Sequence, residues 1–402
     1  MRNLWFVAGE ASGDARAAEL MHALRTQQPE LRFLGAGGPV MQKLADQPFD
    51  NWTDQAAVLG LWDVLRHYGY FKRKFRQMLR DIETAKPAAV VLVDYPGFNL
   101  RLAKALRKSG YAGKILYYIS PQVWAWNRRR IPAMAKILDL MICVFPFEAP
   151  MYEASGLHTV FVGHPLLEAL ERKKSPAPRE AGLVGFFPGS REREVRRIFP
   201  VMVAAAKIIR REFPEARFEA AAASEAHANR MQAMTDEIPV RHGTAHALMQ
   251  RASAGVVCSG TATLEAAFFG LPYCLVYKIA WLTFEVGKRV VDVDALGIIN
   301  ILNNYRKNPP PDPRLPAKGA PHVVREFLQK DATPDSVANE VLRLLRDDAA
   351  RQSLSRELLE ITSGLAAHGA SQRAATALLE ALGAPVISSD SDPVGSPEER
   401  NS

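Results

Sequence analysis

The chain has 402 residues, of which 48% are apolar and 23% are charged, as in ordinary globular proteins. This length allows two domains, and a formal charge of +8 favours an anionic partner, which leaves nucleic acid, anionic lipid and phosphorylated substrates open. The first apolar run is too short for a signal peptide, and no run of about 18 apolar residues predicts a membrane-spanning helix. Cys143, Cys258 and Cys274 lie in or beside apolar runs, which is typical of buried thiols in a cytoplasmic protein.

Strand-like and helical patterns alternate along the first half of the chain, which predicts a parallel sheet with helices on both faces. The predicted strands are residues 4–8, 32–35, 88–93, 114–118 and 140–145. Residues 171–182 are charged, contain prolines and lack periodicity, so they predict a linker between two domains. The N-terminal domain is therefore expected over residues 1–170.

The alternation restarts after the linker and predicts a second domain over residues 183–345, with strands at 183–188, 217–221, 255–258 and 272–277. Residues 305–321 contain a proline run and predict a loop. A helical pattern covers residues 336–382, the helices of 346–383 are expected to pack back on an N-terminal domain, and 384–402 have the composition of a disordered tail. The predicted fold class is α/β, with two Rossmann-like, doubly wound parallel-sheet domains facing a cleft.

Two segments, residues 6–14 and 186–195, each carry an apolar strand into a glycine turn and a helix start. The amino terminus of a helix presents free backbone N–H groups to an anion, so each segment predicts an anion site. Neither segment has the G-x-G-x-x-G spacing of a dinucleotide site. Two such sites in two halves of one chain suggest two nucleotide-fold domains that face each other across a cleft.

Asp94 directly follows the predicted strand 88–93, and ligands gather at the carboxyl ends of strands in open parallel sheets. Its carboxylate is a candidate general base. The alternative is that Asp94 caps the next helix or closes the turn before Pro96 and Gly97.

Arg191 follows Gly189 and Ser190, which places a guanidinium beside backbone donors and suits phosphate oxygens. Residues 259–265 also form a glycine turn and a helix start after a strand, with Ser259 or Thr261 as the expected helix cap. Glu265, one turn into that helix, either binds ribose hydroxyls or completes the cap. The nearby arginines at 193, 196 and 197 are predicted to form a solvated helix face.

Residues 60–80 interleave large aromatic side chains with arginine and lysine, a pattern typical of a membrane interface. The alternative is an amphipathic helix packed on the sheet with a basic outer face. We favour the interface, and the candidate contacts are Trp62, Tyr68, Tyr70, Phe71, Lys72 and Arg73. No recognised nucleic-acid module surrounds this stretch.

Two metal-like patterns are disfavoured. Asp292 and Asp294 match the D-x-D spacing that some sugar transferases use for a divalent cation, but such surface pairs arise readily by chance. His242 and His246 are four residues apart without an evident third ligand. We predict neither a metal site nor a cofactor.

Eight motifs occur in order between about residue 3 and about residue 380. They are AGEASGD (8–14), GGPVM (37–41), DYPGFN (94–99), SPQVWAW (120–126), FPFE (145–148), GHP (163–165), PGSR (188–191) and SGTATLE (259–265). Together they resemble the lipid-A-disaccharide synthases. The resemblance implies a GT-B glycosyltransferase, active in lipopolysaccharide synthesis at the cytoplasmic face of the inner membrane.

The family's reaction, by that resemblance, transfers a diacylated glucosamine from UDP to the primary hydroxyl of a second diacylglucosamine, which carries an anomeric phosphate. Inversion in one displacement needs a base for the acceptor and donors for the leaving pyrophosphate, and no protein nucleophile. The implied partners are the UDP-diacylglucosamine donor, the lipid monosaccharide phosphate acceptor and an anionic lipid surface, without nucleic acid. A homodimer is compatible with the resemblance.

Residue roles follow from matching motifs. Asp94 is the expected base and Arg191 holds the UDP phosphates. The donor-side group is Gly189, Ser190, Arg191, Ser259, Gly260, Thr261, Glu265 and Asn300, and the acceptor-side group is Glu10, Ser12 and Gly13. Asn300 matches the asparagine of a Leu-Pro-Asn element that here lacks its proline.

Two other function classes compete with this hypothesis. A UDP-sugar epimerase has the same two-domain architecture and also binds phosphate through its carboxyl-terminal half, but it needs no acceptor site or membrane-facing segment. A non-catalytic lipid- or nucleotide-binding module accounts for the glycine turns and the basic patch without a role for Asp94.

Overall fold

The computed structural model describes residues 2–53, 68–176, 178–278, 293–365 and 369–384. Two β-sheets organise these residues. The strands are β1 (Asn3–Ala8), β2 (Arg32–Gly37), β3 (Phe49–Asn51), β4 (Ala89–Val93), β5 (Lys114–Tyr118), β6 (Leu140–Cys143), β7 (Thr159–Phe161), β8 (Glu180–Phe187), β9 (Arg217–Ala222), β10 (Val240–His242), β11 (Ala252–Cys258), β12 (Tyr273–Tyr277) and β13 (Glu326–Leu328).

Helices connect the strands. They are α1 (Ala11–Gln27), α2 (Pro39–Gln42), α3 (Tyr68–Ala85), α4 (Pro96–Lys108), α5 (Val123–Trp126), α6 (Ile131–Ala135), α7 (Glu148–Glu153), α8 (Pro165–Glu171), α9 (Glu192–Glu212), α10 (Glu225–Gln232), α11 (Ala245–Arg251), α12 (Thr261–Phe268), α13 (Ile298–Lys307), α14 (Pro334–Arg346), α15 (Asp348–Ser363) and α16 (Ala370–Ala381). Short 3₁₀ turns occupy Arg128–Arg130 and Gln329–Asp331.

Both sheets have a doubly wound strand order. The first sheet is ordered β3-β2-β1-β4-β5-β6-β7 and the second β10-β9-β8-β11-β12-β13. In each, the chain moves outward for three strands and then returns to the other side of its first strand. The strand order therefore reverses between β1 and β4 in the first sheet and between β8 and β11 in the second, and ligands bind at such switch points in open α/β sheets.

The central strands are buried on both faces, as the apolar runs predict. All five residues of β4 and all seven of β11 are buried. Neighbouring strands run parallel from β3 to β6 and across the whole second sheet. The predicted α/β class with two doubly wound parallel sheets is confirmed.

The nine predicted strands are present, whereas four further strands are not predicted from the sequence. These are β3, β7, β10 and β13, which are three residues long and lie at the sheet edges. Two segment bounds differ from the prediction. β8 begins at Glu180, which pairs with Ala252 of β11, and α13 runs to Lys307, inside the predicted loop.

The described residues fall into two compact units, one drawn from Met1–Tyr118, Ile137–Ile142 and Ser371–Ser402 and the other from Ile119–Lys136 and Cys143–Ala370. Within the first unit, hydrogen bonds tie the carboxyl-terminal residues to the start of the chain. Gln27 Nε2 donates to Gln372 O at 3.2 Å, and Arg2 Nη1 donates to Leu382 O at 3.0 Å. The domain bounds expected from the sequence stay predictions.

Hydropathy along the helices gives one further structural fact. Among the described residues, no helix is long and apolar enough to cross a bilayer.

Candidate active site

The switch point of the first sheet brings Glu10 and Asp94 to the same edge. Ala8 at the end of β1 pairs with Val93 at the end of β4, so the residues that follow the two strands are neighbours. Asp94 is half-buried, and Glu10 is exposed. Burial and the negative charge of Glu10 both raise the pKa of the Asp94 carboxyl above its ordinary value, while the Tyr95 N–H bond lowers it.

Asp94 stands in a strained backbone conformation. Asp94 and Tyr95 are consecutive non-glycine residues with left-handed φ values of +48° and +50°. Such strain persists only where the surroundings enforce it, and it is concentrated at functional sites. Here the Asp94 carbonyl accepts hydrogen bonds from Asn99 Nδ2 at 2.7 Å and from the Tyr117 hydroxyl at 2.5 Å.

Gly9 makes this turn possible. A Cβ atom at Gly9 would lie 2.3 Å from Cδ1 of the Tyr95 ring, so only glycine lets that ring approach. The N-cap of α4 is Tyr95, and its side chain forms no capping bond. Asp94 therefore does not cap this helix, whereas the Tyr95 N–H bond to its carboxylate agrees with the alternative in which Asp94 closes the turn.

The first glycine turn begins α1 and is joined to α2 through Asp14. Glu10 is the N-cap residue of α1, and Ser12 is exposed and Gly13 buried in its first turn. Asp14, in the same motif, is buried, and its carboxylate accepts N–H groups at the start of α2, from Gly38 at 2.8 Å and from Met41 at 3.0 Å. Asp14 thus fastens the start of α2 to the first glycine turn.

At the switch point of the second sheet, the turn after β8 carries Arg191. Gly189 has φ +106°, and a Cβ there would lie 2.5 Å from Glu194 Oε2. Glu194 accepts both the backbone N–H and, at 2.8 Å, the guanidinium of Arg191, which orients the arginine at the start of α9. The Arg191 side chain is 78% exposed, so its fork is accessible to an anion.

The turn after β11 lies beside this one, because Val257 of β11 pairs with Phe187 of β8. Gly260, with φ +138°, is the N-cap of α12, and no side chain caps the helix, so the prediction that Ser259 or Thr261 does so is wrong. Ser259 is half-buried, whereas Gly260 and Thr261 are exposed. The switch point thus combines two helix amino termini with one arginine.

Glu265 is paired with a histidine. Its Oε1 lies 3.6 Å from His246 Nε2, and Lys173 Nζ lies 3.3 Å from Nδ1 of the same ring. In the sequence, His246 suggests only the disfavoured metal pairing with His242, so its contact with Glu265 is not predicted. Glu265 does not complete a helix cap, because no side chain caps α12.

Asn300 is occupied by internal hydrogen bonds. Its Nδ2 donates to Val324 O at 2.8 Å and to Glu326 Oε1 at 2.7 Å, and its Oδ1 accepts from the N–H groups of Val323 and Val324 at 2.9 and 3.0 Å. Both amide hydrogens and both acceptor lone pairs are therefore used within the protein. The expected donor-binding role of Asn300 is corrected to a structural one, fastening α13 to the chain before β13.

The 60–80 stretch is only partly described. Trp62 lies outside the described residues, and Tyr68 begins α3. Phe71 is half-buried with its ring 6.4 Å from that of Trp52, so this side chain packs within its own unit. Tyr70 is half-buried against Phe71, whereas Lys72 and Arg73 are exposed. The expectation that Phe71 contacts a membrane is therefore corrected, because this side chain packs on Trp52.

Comparison with known proteins identifies the family. The family model for lipid-A-disaccharide synthetase (LpxB) matches residues 4–378. The lipid-A-disaccharide synthase of Geobacter metallireducens is 36% identical over 394 residues, which cover 95% of this chain and 98% of that protein.

Two solved structures share the fold. UDP-GlcNAc 2-epimerase from Neisseria meningitidis bound to UDP-GlcNAc has a TM-score of 0.59 at 9% identity, covering 94% of this chain and 99% of that one. The glycotransferase of kitacinnamycin has a TM-score of 0.55 at 14% identity, with the same coverage of 94% and 99%.

Identities this low show the fold alone, which is the GT-B type expected from the sequence. They therefore do not favour the epimerase alternative over the sequence match. With a family model matched over residues 4–378 and a relative 36% identical over nearly its whole length, the chain belongs to the lipid-A-disaccharide synthase family, glycosyltransferases of lipid A biosynthesis.

Proposed function

We propose that this enzyme condenses UDP-2,3-diacylglucosamine with 2,3-diacylglucosamine 1-phosphate, giving the lipid A disaccharide 1-phosphate and UDP. The observation that carries the proposal is Asp94 in its strained turn at the β1/β4 switch point, in a chain of this family. The primary hydroxyl of the acceptor attacks the anomeric carbon of the donor, and the bond from that carbon to the UDP oxygen breaks. The configuration inverts because the displacement is a single step.

Asp94 takes the proton of the attacking hydroxyl in this proposal. A carboxylate with a raised pKa is a stronger base than an ordinary aspartate. The hydrogen bonds from Asn99 and Tyr117 to its carbonyl hold the turn, so the carboxylate is positioned before the substrate arrives. Glu10, Ser12 and Gly13 are proposed to line the acceptor side.

The leaving UDP carries developing negative charge, which the second unit is proposed to stabilise. The starts of α9 and α12 provide backbone N–H groups and the positive ends of the helix dipoles. The Arg191 guanidinium adds a positive charge that binds phosphate oxygens. The proposed donor contacts are Gly189, Ser190, Arg191, Ser259, Gly260, Thr261 and Glu265. The UDP-GlcNAc bound by the structurally similar epimerase supports this ligand class.

The reaction can be tested with defined substrates. The enzyme is incubated with UDP-2,3-diacylglucosamine and 2,3-diacylglucosamine 1-phosphate. The products are then separated, identified and quantified. Equimolar UDP and a β-linked disaccharide phosphate support the proposal. Epimerised UDP-sugar in the absence of acceptor would favour the isomerase instead, and binding without turnover would favour a non-catalytic module.

We expect no dependence on a divalent cation, because helix amino termini and Arg191 supply positive potential at the leaving group. Asp294 is engaged elsewhere, accepting from Asn304 Nδ2 and from the Gly319 N–H, both at 2.7 Å, and Asp292 lies outside the described residues. Turnover should stay within about twofold of the untreated value when a chelator is added. Loss of activity with chelator, restored by magnesium or manganese, would return the acidic pair to consideration.

Peripheral binding to the cytoplasmic face of the inner membrane is also proposed, through the 62–80 segment. Arg73, Arg76 and Arg80 are exposed on α3. Each cation near an anionic surface contributes about 1 kcal/mol, so changing all three to glutamine should weaken binding to anionic vesicles about 100-fold. Co-sedimentation measures this, and raised salt should weaken wild-type binding in the same direction.

A matched control changes three exposed arginines on α9, Arg193, Arg196 and Arg197, to glutamine. This variant loses the same charge and should keep its vesicle affinity. Equal losses in the two variants would show a non-specific charge effect, and the α3 helix would then be an ordinary solvated surface. The homodimer stays a prediction, which light scattering tests.

A further inference from the structure

The second unit contains an apolar cavity of about 480 Å³. Its floor is formed by Phe147, Leu302, Ile361 and Leu365, all at most 8% exposed. Prolines form much of its wall, two at positions 146 and 150 and three at positions 309, 310 and 313. A space of this size and lining is within the range of cavities that bind small apolar groups.

The charged residues on the lining, Arg306 and Glu360, neutralise each other. Arg306 Nη1 lies 2.8 Å from Glu360 Oε1, so the cavity presents no net charge to a ligand. Leu359, next in sequence to the lining residue Glu360, is 43% exposed.

The wall of the cavity is held in place without a ligand. The Tyr305 ring stacks on Phe147 with centroids 4.0 Å apart and planes within 5°. The Tyr305 hydroxyl accepts a bond from Arg128 Nη2 at 2.7 Å, and Arg128 Nη1 donates to Arg314 O at 2.8 Å, which fastens the end of the proline loop. A preformed cavity of this kind binds without the entropic cost of ordering its own walls.

The cavity is built on the helices that support the proposed donor site. Leu302 and Tyr305 lie on α13, and Ile361 lies on α15. Both helices pack directly against α12, whose amino terminus is the proposed site for the donor phosphates. The apolar cavity and the proposed site for the donor phosphates therefore lie in the same unit.

We propose that this cavity takes one acyl chain of the UDP-diacylglucosamine donor, an inference that rests on the proposed function. An acyl chain needs no hydrogen-bond partner, which suits a wall made of aliphatic, aromatic and proline side chains. A nucleobase or sugar buried there would leave its polar atoms unpaired. The donor whose acyl chain fills the cavity without exceeding it is expected to have the highest kcat/KM.

The test varies acyl length on the donor and on the acceptor separately, at fixed mole fraction in detergent micelles. Gly364 lines the cavity, and a Cβ there meets nothing closer than Ile361 O at 3.9 Å, so the backbone position accepts a side chain and Gly364→Phe adds a ring to the lining. This variant should shift the preferred donor chain to shorter lengths by two or more carbons. Leu302→Ala enlarges the cavity and should shift the preference to longer donor chains.

Two controls separate cavity effects from folding effects. Ser363→Phe adds the same ring one residue earlier, at an exposed position outside the lining. Leu345→Ala removes the same atoms as Leu302→Ala from an equally buried leucine, both being 6% exposed, elsewhere in the unit. Both should keep the wild-type chain-length profile, and all four variants should bind UDP as the wild type does.

The outcomes distinguish failure of the cavity assignment from failure of the proposed function. Unchanged donor profiles in both Gly364→Phe and Leu302→Ala, in an enzyme that makes disaccharide, would overturn the cavity assignment and leave the function intact. A shift in the acceptor profile instead would overturn the donor assignment. A wild type that forms no disaccharide at any chain length would overturn the proposed function itself.

Discussion

Asp94→Asn is expected to lower turnover by about 100-fold or more, the usual scale for loss of a general base, while donor binding stays nearly normal. The amide is the same size as the carboxylate but cannot take the acceptor proton. Asparagine also tolerates a left-handed backbone better than most residues, so it should keep the φ of +48° at this position. Steady-state rates and calorimetric binding of UDP measure the two effects separately.

The asparagine variant is more informative than an alanine variant, because alanine would strain the turn as well as remove the base. Asp50→Asn serves as the control, since Asp50 is a half-buried carboxylate of the same unit whose partner is Lys74 at 2.6 Å. It should retain near wild-type turnover. If Asp94→Asn did so too, Asp94 would have no place in the mechanism.

Arg191→Ala is expected to lose about 2–4 kcal/mol of transition-state stabilisation, roughly 30- to 1,000-fold in kcat/KM. The guanidinium is exposed and held by Glu194, so it is positioned to meet the pyrophosphate in the ground state as well as in the transition state. UDP affinity should therefore fall along with turnover. Arg191→Lys keeps the charge without the fork and should give an intermediate loss.

Arg193→Ala provides the matched control for this variant. Arg193 is an exposed arginine two residues further along the same helix, and its loss should change neither UDP affinity nor turnover. Calorimetry that showed wild-type UDP binding by Arg191→Ala would contradict the assignment. The backbone N–H bond from residue 191 to Glu194 survives in the alanine variant, so the start of α9 should stay folded.

How far the sequence predicts the fold depends on where each element lies in its sheet. Central strands such as β4 and β11 are buried on both faces, so their apolar runs are continuous and easily recognised. Edge strands such as β3 and β10 are three residues long and not fully buried. Neighbouring strands and not their own composition impose the extended conformation, which a single sequence does not reveal.

The sequence predicts the site unevenly, because it marks residues that follow strands but not residues that act through packing. Asp94 and Arg191 follow strands at switch points, a position that sequence alone marks. Asn99 and Tyr117, which hold the Asp94 carbonyl, act through packing, although Asn99 at least belongs to the same 94–99 motif. Asn300 shows the opposite error, since a motif match suggested a ligand contact where the structure uses every polar atom of the amide internally.

The pH dependence of kcat/KM in wild type and Glu10→Gln tests the central claim, that Asp94 is the base, most directly. Burial and Glu10 raise the pKa of Asp94, so activity should fall as pH drops through a pKa above the ordinary aspartate value of 3.8. Removing the negative charge of Glu10 should lower that pKa and move the acid limb to lower pH. The acceptor phosphate titrates equally in both experiments, so the difference between the profiles belongs to the enzyme. Superimposable acid limbs would contradict Asp94 as the base.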